Sequence, residues 1–389
     1  MYALITAYFA VIMTWIYQTP DWPNFSWDSA ALSSKLASVR HKQGRLLGRM
    51  ESLGFELQNE ASVEMLTENI VKSSAIEGEV LSAEEVRSSI AIKLGIDSDS
   101  TTAISRNVEG IVAVMMDATR NYHQPLTKER LCGWHAALFP TEWSGLRRIV
   151  VGNWRPESAG PMRVVSGSID RERVHFEALS ALQVEDEMRA FLNGFEKDAD
   201  IDPFVRAAIA HLWFVTIHPF EDGNGRIART IADMVLARAD NTSNRFYSMS
   251  AQIEKERKTY YAQLEQQQRS TTDITHWIDW FLACLERAID SAEGVLEAVF
   301  YKANFWKTAN RQTLNKRQCL ILNRLLDGFK GHMNTSKYAK IAKCSTDTAL
   351  RDIRALVACG LLIQNASGGR STSYRLPHSE ALNRPDVQG

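Results

Sequence analysis

The segment HPFEDGNGRIAR, residues 218–229, decides how the rest of this chain is interpreted. It follows an almost wholly apolar run, residues 204–217, which is too short to span a membrane and suits a central helix of a helical domain. Pro219 ends that helix, and apolar positions from Ile227 onward recur at helical spacing. The sequence therefore predicts a glycine-rich turn between two buried helices.

This turn has the chemistry of an anion-binding site. Gly223, Asn224 and Gly225 can adopt conformations that point successive N–H groups into one concavity. The helix that begins there adds its unsatisfied N–H groups and the positive end of its dipole. Arg226 and Arg229, three residues apart, can reach the same phosphate chain. The turn is therefore expected to bind a polyphosphate.

Two further side chains of the turn suit reactions at phosphorus. Asp222 offers a hard oxygen ligand that fits Mg2+ better than zinc. His218 is a natural general base for a hydroxyl that attacks phosphorus, and Phe220 is expected to anchor the turn in the core. A single histidine after an apolar helix is more often structural, so the combination of residues carries the prediction.

The whole segment resembles, at every defined position, the Fic family signature H-P-F-x-D/E-G-N-G-R-x-x-R. Members of that family mostly transfer AMP from ATP to a protein hydroxyl, and a few transfer phosphate, UMP or phosphocholine. The resemblance implies that His218 deprotonates a target Ser, Thr or Tyr and that Asp222 holds Mg2+ on the α- and β-phosphates. It also implies that Arg226 contacts the phosphates and that Arg229 holds the γ-phosphate. The other nucleotide-binding residues that it implies in this segment are Glu221, Gly223, Asn224 and Gly225.

An upstream motif resembles the family's inhibitory sequence, S/T-x-x-x-E-G/N. It comprises Ser73, Glu77 and Gly78, at the end of a helix predicted over residues 61–77. The resemblance implies that the Glu77 carboxylate pairs with Arg229, occupies the guanidinium that the γ-phosphate needs, and repels the phosphate. It further implies that an enzyme with this glutamate can also remove AMP from a modified target, with Glu77 activating water.

A flap and a helical segment resemble further parts of the family's nucleotide site. Short β runs at 149–151 and 163–165, broken by glycines and a proline, predict a hairpin. The segment that falls where the family's flap lines the nucleotide and aligns a target by strand addition is Val164, Val165, Ser166 and Gly167. The residues that resemble those contacting adenine and ribose are Tyr260, Tyr261 and Gln268. The two tyrosines could equally be core residues.

The C-terminal segment differs from the rest of the chain in charge. Residues 315–376 contain eleven basic and three acidic residues, about +8, which leaves about −9 for the remainder. Helical patterns followed by a glycine-rich hairpin predict a winged helix-turn-helix over residues 310–378. Arg351, Arg354 and, at the wing tip, Arg370 would be free to meet DNA. The residues expected on the core face of its third helix are Ala349, Ile353, Leu356 and Val357. Such modules also serve as protein docking or dimer modules, so DNA through residues 314–376, a protein partner and a homodimer all stay open.

Composition limits the class of protein. The 389 residues are 45% hydrophobic and 23% charged, which excludes disordered, collagen-like and coiled-coil chains and predicts two or three domains. Five cysteines without a C-x-x-C pair suggest neither a zinc site nor a disulfide framework, and they favour a reducing cytoplasm. The uncharged first 17 residues lack the features of a signal peptide or membrane span. Because residues 13–23 resemble the start of a bacterial Fic subgroup, Met13 is the expected initiator and residues 1–12 an upstream extension.

Together these observations predict a mainly α protein. It comprises an N-terminal region with the inhibitory helix (13–100), a Fic-type helical bundle with a small β-hairpin flap (101–300) and a C-terminal winged helix. The predicted function is a cytoplasmic protein adenylyltransferase, not bound to membrane, that uses ATP and Mg2+ to modify a target protein or itself and is inhibited by Glu77. The alternative is a DNA-binding transcriptional regulator whose Fic core senses nucleotide.

Overall fold

The computed structural model describes residues 15–96, 103–166, 172–197, 201–310, 312–326, 329, 331–365 and 372–377. Residues 1–12, Met13, Gly167 and Arg370, which carry predictions above, lie outside this range. The chain divides into two compact units, Met1–Val295 and Leu296–Gly389. Of the helices that the structure describes, none combines the length and apolar character needed to traverse a bilayer.

The first unit is mainly helical, with two small antiparallel strand pairs. Its helices are α1 (Ser29–Glu51), α2 (Phe55–Ile76), α3 (Ala83–Lys93), α4 (Arg106–Arg120), α5 (Lys128–Leu138), α6 (Val184–Lys197), α7 (Pro203–Ile217), α8 (Asn224–Asp240), α9 (Met249–Lys255), α10 (Arg257–Gln268) and the start of α11 (Thr275–Ala309). The strands are β1 (Trp143–Ser144) paired with β2 (Arg147–Arg148), and β3 (Arg163–Ser166) paired with β4 (Arg173–Glu177).

Helices α7 and α8 form the centre of this unit, because most residues of both helices are buried. From Phe204 to the end of α7, Arg206 is the one residue of the helix that is not buried. Asp202 caps the helix by accepting from Phe204 N at 2.8 Å, and Pro203 occupies the first turn, where its missing N–H costs nothing. The predicted apolar helix and the helix after the turn are therefore both confirmed.

Three predicted elements of this unit need correction. The helix predicted over 61–77 begins earlier, at Phe55, because the polar residues before Ala61 continue the same helix. The single helix that the sequence predicts over residues 254–268 is divided at Glu256 into the end of α9 and the whole of α10. The strand predicted at 149–151 is wrong: Ile149 N donates to Glu142 O, and Val150 N donates to the Glu221 carboxylate, instead of to a strand partner. The strand predicted at 163–165 is confirmed as β3.

The second unit contains the end of α11, helices α12 (Lys316–Leu326), α13 (Thr335–Ile341) and α14 (Thr346–Ala358), and strands β5 (Ile363–Gln364) and β6 (Tyr374–Arg375), which pair in antiparallel fashion. Ala349, Ile353 and Leu356 of α14 are buried as expected. Val357 is not a core residue, because 36% of it is exposed. Asp352, directly before Ile353, is buried instead, and its carboxylate pairs with the guanidinium of Arg317 at 2.8 Å. The winged-helix assignment stays a prediction.

Candidate functional site

The turn between α7 and α8 is fixed by left-handed backbone and by one asparagine. His218 ends α7 at φ 55°, and Gly223 opens α8 at φ 79°. A Cβ on Gly223 would lie 2.9 Å from Cε2 of Phe139, so both conformation and space require glycine there. Asn224 closes the turn, since its Oδ1 accepts from Phe220 N and its Nδ2 donates to Phe220 O, each at 2.9 Å. Phe220 is fully buried, as expected for an anchor.

His218 is held as a neutral imidazole in one defined tautomer. Its Nδ1 lies 3.1 Å from Val215 O and therefore carries the proton, which leaves Nε2 as the acceptor. Burial lowers the pKa of His218 below its ordinary value, and the nearby Arg155 acts in the same direction. Arg155 also supports the turn, because its Nε donates to His218 O and its N donates to Pro219 O, each at 2.8 Å. No motif links Arg155 to the turn, so its role there could not be predicted from the sequence.

The two acids of the turn point to the β1–β2 hairpin. Asp222 accepts from Gly223 N at 2.6 Å through Oδ1 and from the Ser144 hydroxyl through Oδ2. Glu221 has a side chain only 5% exposed and accepts at 2.6 Å from both Arg147 Nη2 and Val150 N. Glu221 thus anchors the hairpin in this structure, and its role in nucleotide binding stays a prediction. Within the described residues, no group of three or more His, Cys, Asp or Glu comes together as a metal site.

Arg229 is buried against the end of α2. Its side chain is 2% exposed, and its Nη2 lies 2.8 Å from Glu77 Oε1. Ser73 contributes two further contacts, since its Oγ accepts from Arg229 Nε at 3.0 Å and its carbonyl accepts from Nη2 at 2.9 Å. Burial lowers the pKa of Arg229, but the Glu77 carboxylate reverses this, and the net pKa is raised. The structure thus brings together Ser73, Glu77 and Arg229, as the motif predicted, with Gly78 at φ 85° directly after them.

Arg226 is paired with an acid that sequence analysis did not identify. Its Nη1 lies 2.8 Å from Glu79 Oε2, and its guanidinium lies over the Phe139 ring, 4.9 Å from the centroid. The other carboxylate oxygen of Glu79 accepts from Nδ2 of Asn107, near the start of α4. Glu79 stands immediately after the inhibitory motif but outside its defined positions, so only the spatial arrangement reveals the pair.

Five charged residues line one cavity of about 710 Å³, and neither His218 nor Arg229 is among its lining residues. Its lining includes the carboxylates of Glu77, Glu79 and Asp222 and the guanidiniums of Arg106 and Arg226. A ligand in this cavity therefore meets both arginine-paired acids and the carboxylate expected to bind Mg2+.

The predicted flap lies on the β3–β4 pair. Val164 is half-buried, whereas Val165 and Ser166 are exposed. Ser166 Oγ lies 2.6 Å from His175 Nε2, and His175 Nδ1 lies 2.6 Å from a carboxylate oxygen of Glu265 on α10. The flap is thus attached to α10 by side-chain hydrogen bonds.

The residues predicted on α10 divide between core and site. Tyr260 is a buried core residue whose hydroxyl lies 2.9 Å from His211 Nε2. Gln268 is also buried and donates to Thr216 Oγ1 at 3.3 Å. Tyr261 instead faces the inhibitory motif, with its hydroxyl 3.3 Å from Ile76 O and 3.5 Å from Glu77 Oε2. Of the two tyrosines, Tyr261 is the one placed at Glu77.

Comparison with known proteins identifies two family matches. Residues 15–96 match a domain of unknown function (DUF4172), and residues 125–236 match the Fic/DOC family. A protein adenylyltransferase fic-1 from Caenorhabditis elegans is 30% identical over 167 residues, 42% of this chain and 30% of that protein. A protein adenylyltransferase Fic from Aedes aegypti is 28% identical over 240 residues, 59% of this chain and 42% of that protein. This chain thus spans less than half the length of these curated relatives.

A solved structure supports the fold. The crystal structure of a Fic family protein from Desulfovibrio desulfuricans G20 superposes with a TM-score of 0.53 at 18% identity, covering 88% of this chain and 96% of that one. This chain therefore contains a Fic/DOC domain on a Fic fold, and its relatives include proteins named protein adenylyltransferase Fic.

Proposed function

We propose that this protein transfers AMP from ATP to a Ser, Thr or Tyr hydroxyl of a target protein or of itself, and that Glu77 holds this activity off. The observation that carries the proposal is the junction of a neutral His218 with an anion-binding turn whose Arg229 is occupied by a carboxylate. An arginine that binds a carboxylate can also bind a phosphate, because both anions accept charge-assisted hydrogen bonds from a guanidinium.

His218 supplies the base. Nε2 accepts the proton of the target hydroxyl while the Nδ1–H group remains hydrogen-bonded to Val215 O. The hydroxyl oxygen then forms a bond to the α-phosphorus of ATP, the bond from that phosphorus to the bridging oxygen breaks, and pyrophosphate leaves with the electron pair. The first N–H groups of α8 lack intrahelical partners and favour the phosphates at this end of the helix.

Asp222 fits Mg2+ as the protein's contribution to a nucleotide-bound ion. Mg2+ is commonly held by one or two carboxylates together with substrate phosphates rather than by a full protein cage. The Asp222 carboxylate borders the cavity, and among the described residues its Oδ2 accepts from one group, the Ser144 hydroxyl, which can be exchanged. The ion would offset the negative charge of the α- and β-phosphates.

Glu77 inhibits by occupying Arg229. The pair joins a guanidinium that is 2% exposed to a carboxylate that is 32% exposed, so the acid can leave toward the cavity whereas the arginine stays. A γ-phosphate cannot reach Arg229 while the carboxylate remains, because both need the same guanidinium and carry the same sign of charge. We propose that displacement of Glu77 permits the productive pose of ATP.

The test is the intact mass of purified protein after incubation with ATP and Mg2+. Glu77→Gly should gain the mass of AMP faster than the wild type, and Glu77→Gly/His218→Ala should lose this gain by a factor on the order of 10² to 10⁴. Glu109→Gln, which changes an exposed glutamate of α4, is the matched control and should behave as the wild type. Equal labelling of wild type and Glu77→Gly would contradict inhibition. Tight ATP binding without any mass gain would favour the nucleotide-sensing alternative.

The exposed position of Glu77 also supports a reverse reaction, removal of AMP from a modified target. Because 32% of its side chain is exposed at the cavity, water can reach the Glu77 carboxylate. The carboxylate would then activate that water as a general base. Incubation of AMP-modified Glu77→Gly protein with catalytic amounts of wild type tests this proposal. Release of AMP by wild type and not by Glu77→Gln is expected, and equal release by both would contradict it.

The second unit suits contact with DNA. Arg351 and Arg354 of α14 are exposed, and the segment is strongly basic. We expect the full chain to shift duplex DNA with a steep dependence on salt and Arg351→Ala/Arg354→Ala to weaken this shift. No shift at low salt would instead favour a docking role for this unit.

A further inference from the structure

The loop between α2 and α3 presents two carboxylates, not one, to the anion-binding turn. Its backbone is fixed to the end of α2, because Gly78 N donates to Ala75 O and Glu79 N donates to Ser74 O, each at 3.0 Å. Gly78, at φ 85°, makes the turn that brings the chain back toward α8. As a result Glu77 and Glu79 reach the two arginines of the same helix end.

The Glu79–Arg226 contact is chemically like the Glu77–Arg229 contact, but a different residue, Asn107, also holds its carboxylate. Glu79 Oε2 lies 2.8 Å from Arg226 Nη1, and the other oxygen of this carboxylate is held by the Asn107 side-chain amide. The Arg226 side chain is 11% exposed and that of Glu79 is 30% exposed. The acid is again the more accessible partner, so it is the group that can be displaced.

Both arginines keep a donor that no residue in the described part of the chain accepts. Arg226 Nε and Arg229 Nη1 are buried and have no hydrogen-bond partner there. Buried donors of charged groups are costly to leave unpaired. Two separate carboxylates therefore satisfy this pair of guanidiniums incompletely, whereas a polyphosphate with more oxygens could satisfy both.

We propose that Glu79 is a second inhibitory carboxylate, which blocks phosphate binding at Arg226 as Glu77 blocks it at Arg229. This inference rests on the proposed function and adds a residue to its regulation. Because one glycine separates the two acids, movement of the loop removes both from the helix end together. Loss of Glu77 alone leaves Arg226 occupied, so Glu77→Gly is only partly released.

The rival role for Glu79 predicts the opposite sign. If Glu79 merely held Arg226 in position for phosphate, its removal would weaken ATP binding. If it competes with phosphate, its removal strengthens binding. Asn107 does not alter this distinction, because it contacts the carboxylate and not the arginine.

The experiment measures the Kd of ATP with Mg2+ by calorimetry for Glu77→Gly and for Glu77→Gly/Glu79→Gln. Glutamine keeps the shape of the side chain and removes its charge. We expect the double variant to bind roughly tenfold more tightly, the scale of one charge-assisted hydrogen bond. Glu77→Gly/Glu109→Gln removes a charge from the neighbouring helix α4 and should match Glu77→Gly.

Two readouts separate the failure of this inference from failure of the proposed function. An unchanged or weaker affinity of the double variant, with normal thermal unfolding, overturns the inhibitory role of Glu79. Glu77→Gly/Glu79→Ala, which removes the contact altogether, should show the same gain and guards against a residual hydrogen bond from glutamine. Tighter binding without AMP incorporation would overturn the transferase activity and leave the competition at Arg226 supported.

Discussion

The two ends of α8 carry the same kind of ion pair in opposite settings. At its N-terminal end, Arg226 and Arg229 meet carboxylates that are 30% and 32% exposed beside a cavity. In its C-terminal half, Asp233 and Asp240 meet Arg245, and all three side chains are between 1% and 3% exposed. One helix thus separates charges that a ligand can reach from charges that it cannot.

The pairs of Arg245 with Asp233 and Asp240, here called the buried end of α8, show which contacts hold a permanent ion pair in place. Asp240 accepts from Arg245 Nη1 at 2.6 Å, from the Tyr247 hydroxyl at 3.0 Å and from the Gln43 amide. Burial raises the pKa of Asp240, and its partners oppose that rise. At the other end of the helix, Arg226 and Arg229 each retain a buried donor that has no partner among the described residues. Incomplete hydrogen bonding, rather than charge alone, therefore marks the exchangeable pairs.

The largest effect on stability is expected when the buried ion pairs of Arg245 are removed. Arg245→Met leaves two carboxylates buried without their cation, which should lower the free energy of unfolding by about 3–5 kcal/mol. The melting temperature should fall by roughly 10 °C, measured by differential scanning calorimetry. Arg45→Met, which breaks a pair between the exposed Arg45 and the half-buried Glu293, should shift the melting temperature only slightly. An equal loss in both variants would contradict the distinction between the two settings.

A smaller loss of stability, which ligand binding can reverse, is expected at the N-terminal end of α8, here called its exposed end. Glu77→Gly leaves Arg229 with Ser73 as its partner, which should cost about 1–2 kcal/mol of stability. Phosphate oxygens can replace the lost carboxylate, so ATP with Mg2+ should raise the melting temperature of Glu77→Gly more than that of the wild type. Arg245→Met should show no such extra stabilisation. A larger ligand response in the wild type would contradict competition at Arg229.

The local part of the site was predictable from the sequence. Residues 218–229 contain the end of one helix, the turn and the start of the next, so their chemistry follows from neighbours along the chain. The placement of Glu77 at Arg229 could be predicted because the motif has a known partner, although residues 73–77 and 229 are far apart in sequence. The apolar character of α7 likewise predicted the central helix.

The missed residues reach the site through the tertiary fold. Arg155, Ser144 and Asn107 come from a loop, a short strand and the start of a helix, and no spacing relates them to the turn. The strand expected at 149–151 failed for a related reason, since the Glu221 carboxylate takes a backbone N–H that a strand partner would have taken. Hydrogen bonds between distant segments decide both cases.

A modest effect is expected at Asp222, the third acid of the cavity. The Ser144 hydroxyl donates to Asp222 Oδ2 and must release it before Mg2+ binds there. Ser144→Ala in the Glu77→Gly background should therefore lower the Mg2+ concentration for half-maximal AMP incorporation roughly tenfold, the scale of one hydrogen bond to a charged group. Ser158→Ala, at an exposed position, is the control. A higher Mg2+ requirement would mean that Ser144 instead holds Asp222 in its ligating position.

The smallest effect is expected from mild acid, and it tests whether the exposed end keeps a neutral base. Only unprotonated His218 can accept the hydroxyl proton, and burial places its pKa below the ordinary value of 6.5. The acid limb of the rate profile therefore lies below pH 6.5, and Glu77→Gly should keep most of its activity at pH 6.5, where an ordinary histidine would be half protonated. Initial rates of AMP incorporation between pH 5 and pH 8, with thermal unfolding checked at each pH, measure this. A half-loss of activity at or above pH 6.5 would show that His218 is solvated and that its burial in the turn does not set the state of the base.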